Sequence, residues 1–448
     1  MAGRKPHSRE LSVWSNGERV GTWRIPTRGD MELEYAAAWT ASTVGRPLSL
    51  SLPFTVDNLP LKGDRVNSYF ENLLPDSEPI RRRLATKMKA ASTGAFDLLA
   101  AIGRDCVGAV QLLPEDGEPA GFDKIEGKPM TDEDVEQYLV RTTTADSTFM
   151  TMGFDADDFR ISLAGAQEKT ALLWHKNQWM LPHGATPTTH ILKLPLGLVG
   201  NSRVNLTTSV ENEWLCLNIL QAYGLPVANS RIMDFGRQRV LCVERFDRRL
   251  HSSGTWWMRL PQEDFCQALG KPPHLKYEAD GGPGVKDLAA ILRHSQNARA
   301  DMETLLTAQI LFWMLAAPDG HAKNFSIQLL PGGRYHLTSL YDVVSIWPIE
   351  GNADNQWSWH KGKMAMAITG KNKHYLFQDI QRRHFNAMAS QCGYGKDAEP
   401  IIGRLLERTD SVVQEVAARL PAGFPQQVAS SIFKGLKTSA EKLHDMAP

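Results

Sequence analysis

This sequence lacks the means to build a disulfide or cysteine–zinc scaffold. Its cysteines, Cys106, Cys216, Cys242, Cys266 and Cys392, are odd in number and widely spaced, and no Cys-x-x-Cys pair occurs. That usage reads as reduced thiols rather than a disulfide frame or zinc site. No apolar run reaches bilayer-spanning length, which argues against a membrane protein. The start, MAGRKPHSRE, is polar and without a signal-peptide core, so the expected location is cytoplasmic. Net charge is absent too: 50 Lys and Arg balance 50 Asp and Glu. Any nucleic-acid or membrane surface must therefore be a local patch. There is no internal repeat and no low-complexity tract. The 448 residues, 42% apolar and 22% charged, have an ordinary globular composition and enough length for more than one domain.

The informative centre is Pro318-Asp319-Gly320-His321-Ala322-Lys323-Asn324-Phe325. An apolar helix-like run (302–317) precedes it and a strand-like run (325–330) follows. Pro318 and Gly320 break the helix, leaving the polar residues on a loop between buried elements. Asp319 and Asn324 have the Asp-x-x-x-x-Asn spacing of a kinase catalytic loop, where the Asp takes a hydroxyl proton and the Asn holds magnesium. A hairpin turning at Pro331-Gly332-Gly333-Arg334 returns Tyr341-Asp342 beside that loop, placing Asp342 as a second magnesium carboxylate. Alone, the spacing equally describes turn residues closing a helix.

Earlier in the chain, residues 11–23 alternate around Asn16-Gly17 and predict a β-hairpin. Strand-like pieces follow at 32–35 and 48–52. Helices are predicted at 66–74, 78–90 and 95–102, with Asp76 or Ser77 available to cap the second. Residues 108–113 are strand-like, and 114–128, rich in Pro, Gly and acids, form a candidate linker. At 160–173 a small-residue turn separates two short apolar strands. It is neither a Walker A loop nor GxGxxG, but its backbone can approach phosphate and Lys169 adds charge; a plain hairpin turn is the alternative. Lys193 lies inside an apolar strand and needs a partner, for which Glu211 or Glu213 on the next helix is available. The strand 239–243 runs out into Glu244-Arg245-Phe246-Asp247, a candidate adenine hinge or a solvated turn. Residues 260–265 read as a helix start, 359–368 as a hairpin, and 377–436 as largely helical. Lys371, Lys373, Arg382, Arg383 and His384 form a basic cluster, either a solvated face or a phosphate-contacting patch.

Small-residue turn, strand lysine, helix glutamate, hinge strand, Asp-x4-Asn and a later Asp stand in kinase order. The stretches also resemble a known family, the HipA serine/threonine kinases, toxins of HipBA toxin–antitoxin modules. The resemblance rests on ISLAGAQEKTALL (161–173), TPTTHILKLP (186–195), VERFDRR (243–249), RLPQEDFCQ (259–267), KYEADGGPG (276–284) and DGHAKNFS (319–326). PLSLSLP (47–53), ENLLPDS (71–77) and FDLLAAIGRDCVGAV (96–110) extend it toward the N-terminus. Pro318 is a departure from the pattern beside the catalytic loop.

The resemblance implies an α+β, protein-kinase-like fold: an N-terminal small β-barrel and helical domain (1–128), a β-sheet kinase lobe (129–258) and an all-helical C-lobe (259–448). It implies Asp319 as catalytic base, Asn324 and Asp342 as magnesium ligands, and Lys193 as the nucleotide-phosphate lysine. Ala164, Gly165, Ala166, Gln167, Glu168 and Lys169 would form the phosphate loop. Glu244 and Phe246 would meet adenine, and His321, Lys323 and Tyr341 would line the ATP site. Ser162 matches the autophosphorylated serine, expected to face inward beneath the loop. The implied substrate is glutamyl-tRNA synthetase, whose phosphorylation arrests growth and leads to persistence. The implied partner is a HipB-like dimeric helix-turn-helix antitoxin on operator DNA, which Lys371, Lys373, Arg382 and Arg383 would face. A small-molecule kinase and a DNA-bound co-repressor with an incidental nucleotide site are the rival readings.

Overall fold

The computed structural model describes residues 9–143, 162–165, 167–199, 204–353 and 355–448. Ala166 of the phosphate loop, together with Arg160 and Ile161 before Ser162, lies outside the described residues.

The chain opens with the expected hairpin, β1 (Arg9–Ser15) and β2 (Glu18–Ile25), turning at Asn16-Gly17, both at positive φ (49° and 85°). β3 (Glu32–Tyr35), β4 (Leu61–Lys62) and β5 (Gln111–Pro114) complete a five-stranded antiparallel sheet in the order β4-β3-β2-β1-β5. β4 and β5 are its two edges, so the small β unit is an open sheet among the described residues. Its inner face carries Trp23, which stacks on Phe70 at 3.8 Å and 11° and tilts against Phe96. Those rings come from α2 (Asp64–Glu71) and α4 (Ala95–Ile102), with α1 (Ala37–Ala41) and α3 (Glu78–Met88) alongside.

Residues 48–52, expected as a strand, are turns. Their polar groups find side chains instead of a ladder. The Leu48 N–H donates to the Tyr35 hydroxyl, that hydroxyl donates to Leu52 O, and the Leu50 N–H donates to Glu263 Oε1. Nor does Asp76 cap α3: Ser77 is its N-cap residue, without a side-chain capping bond.

The second layer is an antiparallel six-stranded sheet. Its strands are β6 (Gly127–Met130), β7 (Lys169–His175), β8 (Gln178–Pro182), β9 (His190–Lys193), β12 (Ser230–Phe235) and β13 (Gln238–Glu244), ordered β12-β13-β9-β7-β8-β6. The short ribbon β10 (Gly197–Val199) and β11 (Val204–Leu206) stands beside it. α5 (Asp132–Thr143) and α6 (Ser209–Ala222) pack on this sheet.

Strands β14 (Arg248–Leu250) and β15 (Trp257–Arg259) form a hairpin. Then β16 (Gln262–Asp264) joins β17 (Ser326–Leu329) and β18 (Tyr335–Leu337) in a three-stranded sheet. Residues 262–264 are thus strand, and the predicted helix begins only at α7 (Phe265–Ala268). Asp264 caps it by accepting the Gln267 N–H at 2.8 Å, while Gln267 Oε1 accepts the Asp264 N–H. The rest of the lobe is helical: α8 (Val285–Leu292), α9 (Ala298–Met314), α10 (Arg382–Gln391), α11 (Glu399–Ala417) and α12 (Gln426–Asp445). The exceptions are the β16–β18 sheet and a hairpin of β19 (Lys363–Thr369) and β20 (Lys373–Leu376), which sits later than the 359–368 expected. α9 is buried nearly along its whole length and leads at its C-terminus into the loop of Asp319 and Asn324.

The first sheet and the second layer meet at a buried charge cluster. Asp105 receives Arg248 at 2.9 Å, Arg259 at 3.3 Å, Arg245 at 3.4 Å and the Thr188 hydroxyl at 2.6 Å. Asp247 accepts Arg245 at 2.7 Å and the Gly108 N–H at 2.7 Å. The charged run after β13 is therefore not a solvated turn. Isolated charges cannot be buried cheaply, and this density of donors is what allows it.

Candidate active site

One cleft of about 630 Å³ lies between the sheet of β7, β9 and β13 on one side and the α9 loop on the other. Lys193, the last residue of β9, is 6% exposed and stands at its centre. Its Nζ donates to Glu213 Oε1 at 2.7 Å and to Asp342 Oδ1 at 2.8 Å. Of the two helix glutamates, Glu213 is thus the partner. Glu211, two residues back on α6 and facing elsewhere, pairs with Arg239 at 2.5 Å. Burial disfavours the Lys193 charge, but Asp342 and Glu213 outweigh it and raise the ammonium above its ordinary range. Burial likewise opposes the Asp342 carboxylate, which Lys193 and then Lys169 hold well below the usual range. Burial pushes the Glu213 carboxyl up despite Lys193.

Lys169 faces Lys193 directly across the β7–β9 register. Burial first, and then that neighbouring cation, push Lys169 down to about 8. Its Nζ folds back onto Ala164 O at 2.7 Å and so closes the candidate phosphate loop. Gly165 in this loop has φ 104°, a backbone conformation that strains any residue with a Cβ, so glycine is favoured there. Gln167 and Glu168 are anchors: the Gln167 amide donates to Leu194 O at 2.6 Å, and Glu168 pairs with Arg83 at 2.5 Å. Ser162 is fully buried. Its hydroxyl donates to Leu73 O at 2.7 Å and its N–H to Asp105 O at 3.1 Å, both in the N-terminal layer.

The catalytic-loop candidates come together as expected. Asn324 Nδ2 donates to Asp319 O at 2.7 Å, and so does the His321 N–H at 2.8 Å. Gly320 is packed so closely on Phe312 of α9 that a Cβ would lie 2.5 Å from its ring. The Asp319 carboxylate is about half exposed at 48%, accessible to an acceptor. Its Oδ1 accepts the Tyr277 hydroxyl at 2.5 Å, and burial and then Asp319 push that phenol up. His321 is buried edge-on to Tyr277 and lowered by burial, hence neutral, and its Nδ1 has no partner among the described residues. Asp342 has φ 61°, the left-handed conformation that Asp tolerates better than most residues. The Tyr341 hydroxyl contacts Ser326 Oγ and donates to Lys323 O at 2.9 Å, while its ring lies 5.9 Å from that of Phe246.

Glu244 and Phe246 line the same cleft. The N–H groups of Glu244 and Arg245 already donate, to Asn229 O and Thr189 O, and are not free for a base. Tyr277, Lys276 and Asp76 are site residues that the motif reading did not single out. Lys323 Nζ reaches Asp76 Oδ1 at 2.6 Å and Lys276 Nζ reaches Asp76 Oδ2 at 2.9 Å. Burial opposes the Asp76 charge, but these two lysines hold it down to about 2.

The basic cluster is not brought together as a patch of free charges. Lys373 pairs with Glu278 at 2.7 Å, Arg382 pairs with Glu399, and His384 is buried, stacked on His374 at 3.7 Å. Lys371 and Arg383 are exposed.

The cleft passes a test of fit for a nucleotide and a divalent ion. It presents two lysines, Lys169 and Lys193, to an anion. Asn324 has its amide N–H on Asp319, which leaves its carbonyl oxygen, and Asp342 uses one oxygen on Lys193 and keeps the other. One hard amide oxygen and one hard carboxylate oxygen suit magnesium completed by phosphate and water. No group of three or more His, Cys, Asp or Glu side chains that could hold a metal ion occurs among the described residues. No helix among them is long and apolar enough to cross a membrane.

Comparison with known proteins gives a consistent picture. Residues 11–113 match the HipA N-terminal domain and residues 161–418 the HipA-like C-terminal domain. A Sinorhizobium fredii protein that carries a provisional kinase name, Y4mE, is 33% identical over 417 residues, covering 92% of each chain. The serine/threonine-protein kinase toxin HipA of Shewanella oneidensis is 28% identical over 415 residues, covering 88% of this chain and 86% of its own. A solved chain from the Shewanella oneidensis HipA, HipB and operator DNA complex superposes with a TM-score of 0.77 at 24% identity and 97% coverage of both chains.

Proposed function

The chain belongs to the HipA family, and from that membership we propose that it is an ATP-dependent serine/threonine protein kinase, the toxin of a toxin–antitoxin pair. The observation that carries the reading is the Lys193 ammonium held between Glu213 and Asp342 in the cleft that also contains Asp319 and Asn324. When bound, ATP supplies the phosphoryl group and magnesium offsets the charge that spreads over it. Lys193 is fixed by Glu213 and presents its charge at the phosphates, with Lys169 beside it. Ala164, Gly165, Gln167, Glu168 and Lys169 would cover the phosphates, Asn324 and Asp342 would hold the metal, and Glu244, Phe246, His321, Lys323 and Tyr341 would shape the nucleotide site. Asp319 takes the proton from the acceptor hydroxyl, and Tyr277 fixes the carboxylate that does so.

Ser162 is the proposed off-switch. Its hydroxyl is buried against Leu73 O, so it can be phosphorylated only after the loop leaves. A group carrying about −1.5 to −2 charges cannot return to that site, and the phosphate loop would stay displaced. On the family reading, glutamyl-tRNA synthetase is the acceptor, its modification causes growth arrest and persistence, and a HipB-like antitoxin brings the kinase to operator DNA. Lys371 and Arg383 are the candidate DNA contacts with no ion pair among the described residues.

The test is a phosphoproteome of cells expressing this chain beside an Asp319→Asn control. A serine or threonine site on a protein, present only with the unmodified chain, supports the reading. Transfer confined to small alcohols in vitro would replace it with a small-molecule kinase.

A further inference from the structure

The stretch Leu73 to Asp76 of the N-terminal layer reaches both loops between which phosphoryl transfer must occur, and Asp76 alone contacts both. On the phosphate-loop side, Leu73 O accepts the Ser162 hydroxyl, Pro75 forms a parallel bridge with Gly165, and the Asp76 N–H donates to Gly165 O at 3.0 Å. On the catalytic-loop side, the Asp76 carboxylate receives Lys323 and Lys276 on separate oxygens. Lys323 immediately precedes Asn324, and Lys276 immediately precedes Tyr277, which holds Asp319.

We propose that Asp76 is a positioning residue for phosphoryl transfer, aligning the catalytic loop with the phosphate loop from the N-terminal layer. This rests on the kinase reading above.

The physical argument starts from Lys323. Its side chain is 4% exposed, so its charge requires a partner. The charged groups around it are Asp76, Asp264 and Lys276, with His321 and Asp319 nearby. Asp264 is engaged as the cap of α7 and is pushed up to about 6 by burial, so it is a poor substitute. Neutralising Asp76 would leave two ammonium groups facing each other and drive Lys276 and Lys323 apart. Because Asn324 and Tyr277 adjoin them in sequence, the metal ligand and the brace on the base would shift with them. An ordinary interface ion pair would affect only stability. This one has its three members lining the reaction cleft.

The experiment compares wild type, Asp76→Asn, Lys323→Met and the double variant, with each rate normalised to the fraction of molecules that bind ATP by calorimetry. Alignment losses of this kind are on the order of 10²-fold or somewhat less. We expect kcat of Asp76→Asn to fall roughly 10- to 100-fold with KM for ATP little changed, because nucleotide contacts are retained. Lys323→Met, which keeps the Lys276–Asp76 pair and leaves no facing ammonium, should fall less, and the double variant should fall no further than Asp76→Asn, since the two changes share the Lys323 contact. Faster amide exchange in residues 319–324 of the ligand-free Asp76→Asn chain should accompany this whatever the activity. A wild-type rate per ATP-competent molecule, losses that multiply in the double variant, or unchanged exchange at 319–324 would each overturn the proposal. No transfer by wild type itself would instead reject the kinase reading, leaving the exchange measurement to decide the role of Asp76.

Discussion

Lys169 gives the sharpest quantitative handle on the nucleotide site. Its ammonium sits across the β7–β9 register from Lys193, and burial together with that neighbour lowers it to about 8. Bound triphosphate would restore the charge, so ATP binding should take up a proton when Lys169 is neutral in the free protein. Titration of one group near 8 predicts uptake of roughly 0.1 proton at pH 7, 0.5 at pH 8 and 0.9 at pH 9. Above pH 8 the triphosphate has no proton of its own to exchange, because phosphate monoesters titrate near about 6. ATP affinity should then weaken toward about tenfold per pH unit above 8. Folding stability has the opposite sign. The unfolded chain, titrating near 10.5, binds more protons than the folded one between about 8 and 10.5, so this residue's burden is relieved as pH rises through that window. The assay is calorimetry of ATP binding at pH 8.5 in buffers of different ionisation enthalpy. The slope of observed enthalpy gives the proton number, and Lys169→Met should abolish it. A zero slope in the unmodified chain, or a slope that survives Lys169→Met, would show that this ammonium is not at the phosphates.

Asp319→Asn should cost about 10²–10⁴ in transfer rate while leaving ATP affinity nearly intact, since a base acts in the transition state; rates near normal on the protein acceptor would remove Asp319 from its role. Protein phosphorylated at Ser162, verified by mass spectrometry, should bind ATP far more weakly than Ser162→Ala, and equal affinities would make the serine merely structural. Asp105→Asn should destabilise the chain by about 3–5 kcal/mol in chemical denaturation, because three buried arginines lose their shared carboxylate. The Asp105 carboxyl is held far below its usual range by those arginines against burial, so this stability is in force at neutral pH and lost as pH falls toward the folded-state value.

The parts of the site that were legible in the sequence are those whose chemistry is local. Asp319 and Asn324 share one loop, so their spacing alone specifies that they converge. Asp342 returns on a hairpin whose turn residues are explicit. Lys193 announces itself as a charge in an apolar strand, and only the choice between Glu211 and Glu213 needed coordinates, because both ride on a helix buried on most sides. The errors share a cause as well. Residues 48–52 alternate as a strand does, yet Tyr35 and Glu263 supply their hydrogen bonds from elsewhere in the chain. The alternatives for 244–249, hinge or solvated turn, stayed open because Asp105, the partner of Arg245 and Arg248, lies some 140 residues earlier.

Asp76 is the limiting case. By local rules an Asp two residues before a helix with proline in its first turn is a capping candidate, and nothing nearby suggests otherwise. Its partners lie 200 and 247 residues away, and neither carries a motif that demands a carboxylate. Burial converts those remote lysines into a requirement. Once Lys323 is closed off from water beside Asn324, some anion must accompany it, and the N-terminal layer is where the fold provides one. The same reasoning links the two halves of the molecule. A kinase lobe cut at the linker would leave Lys323, Lys276, Arg245, Arg248 and the Ser162 hydroxyl without the partners that the N-terminal layer supplies. The N-terminal layer is therefore part of what holds the cleft together and not an appendage to it.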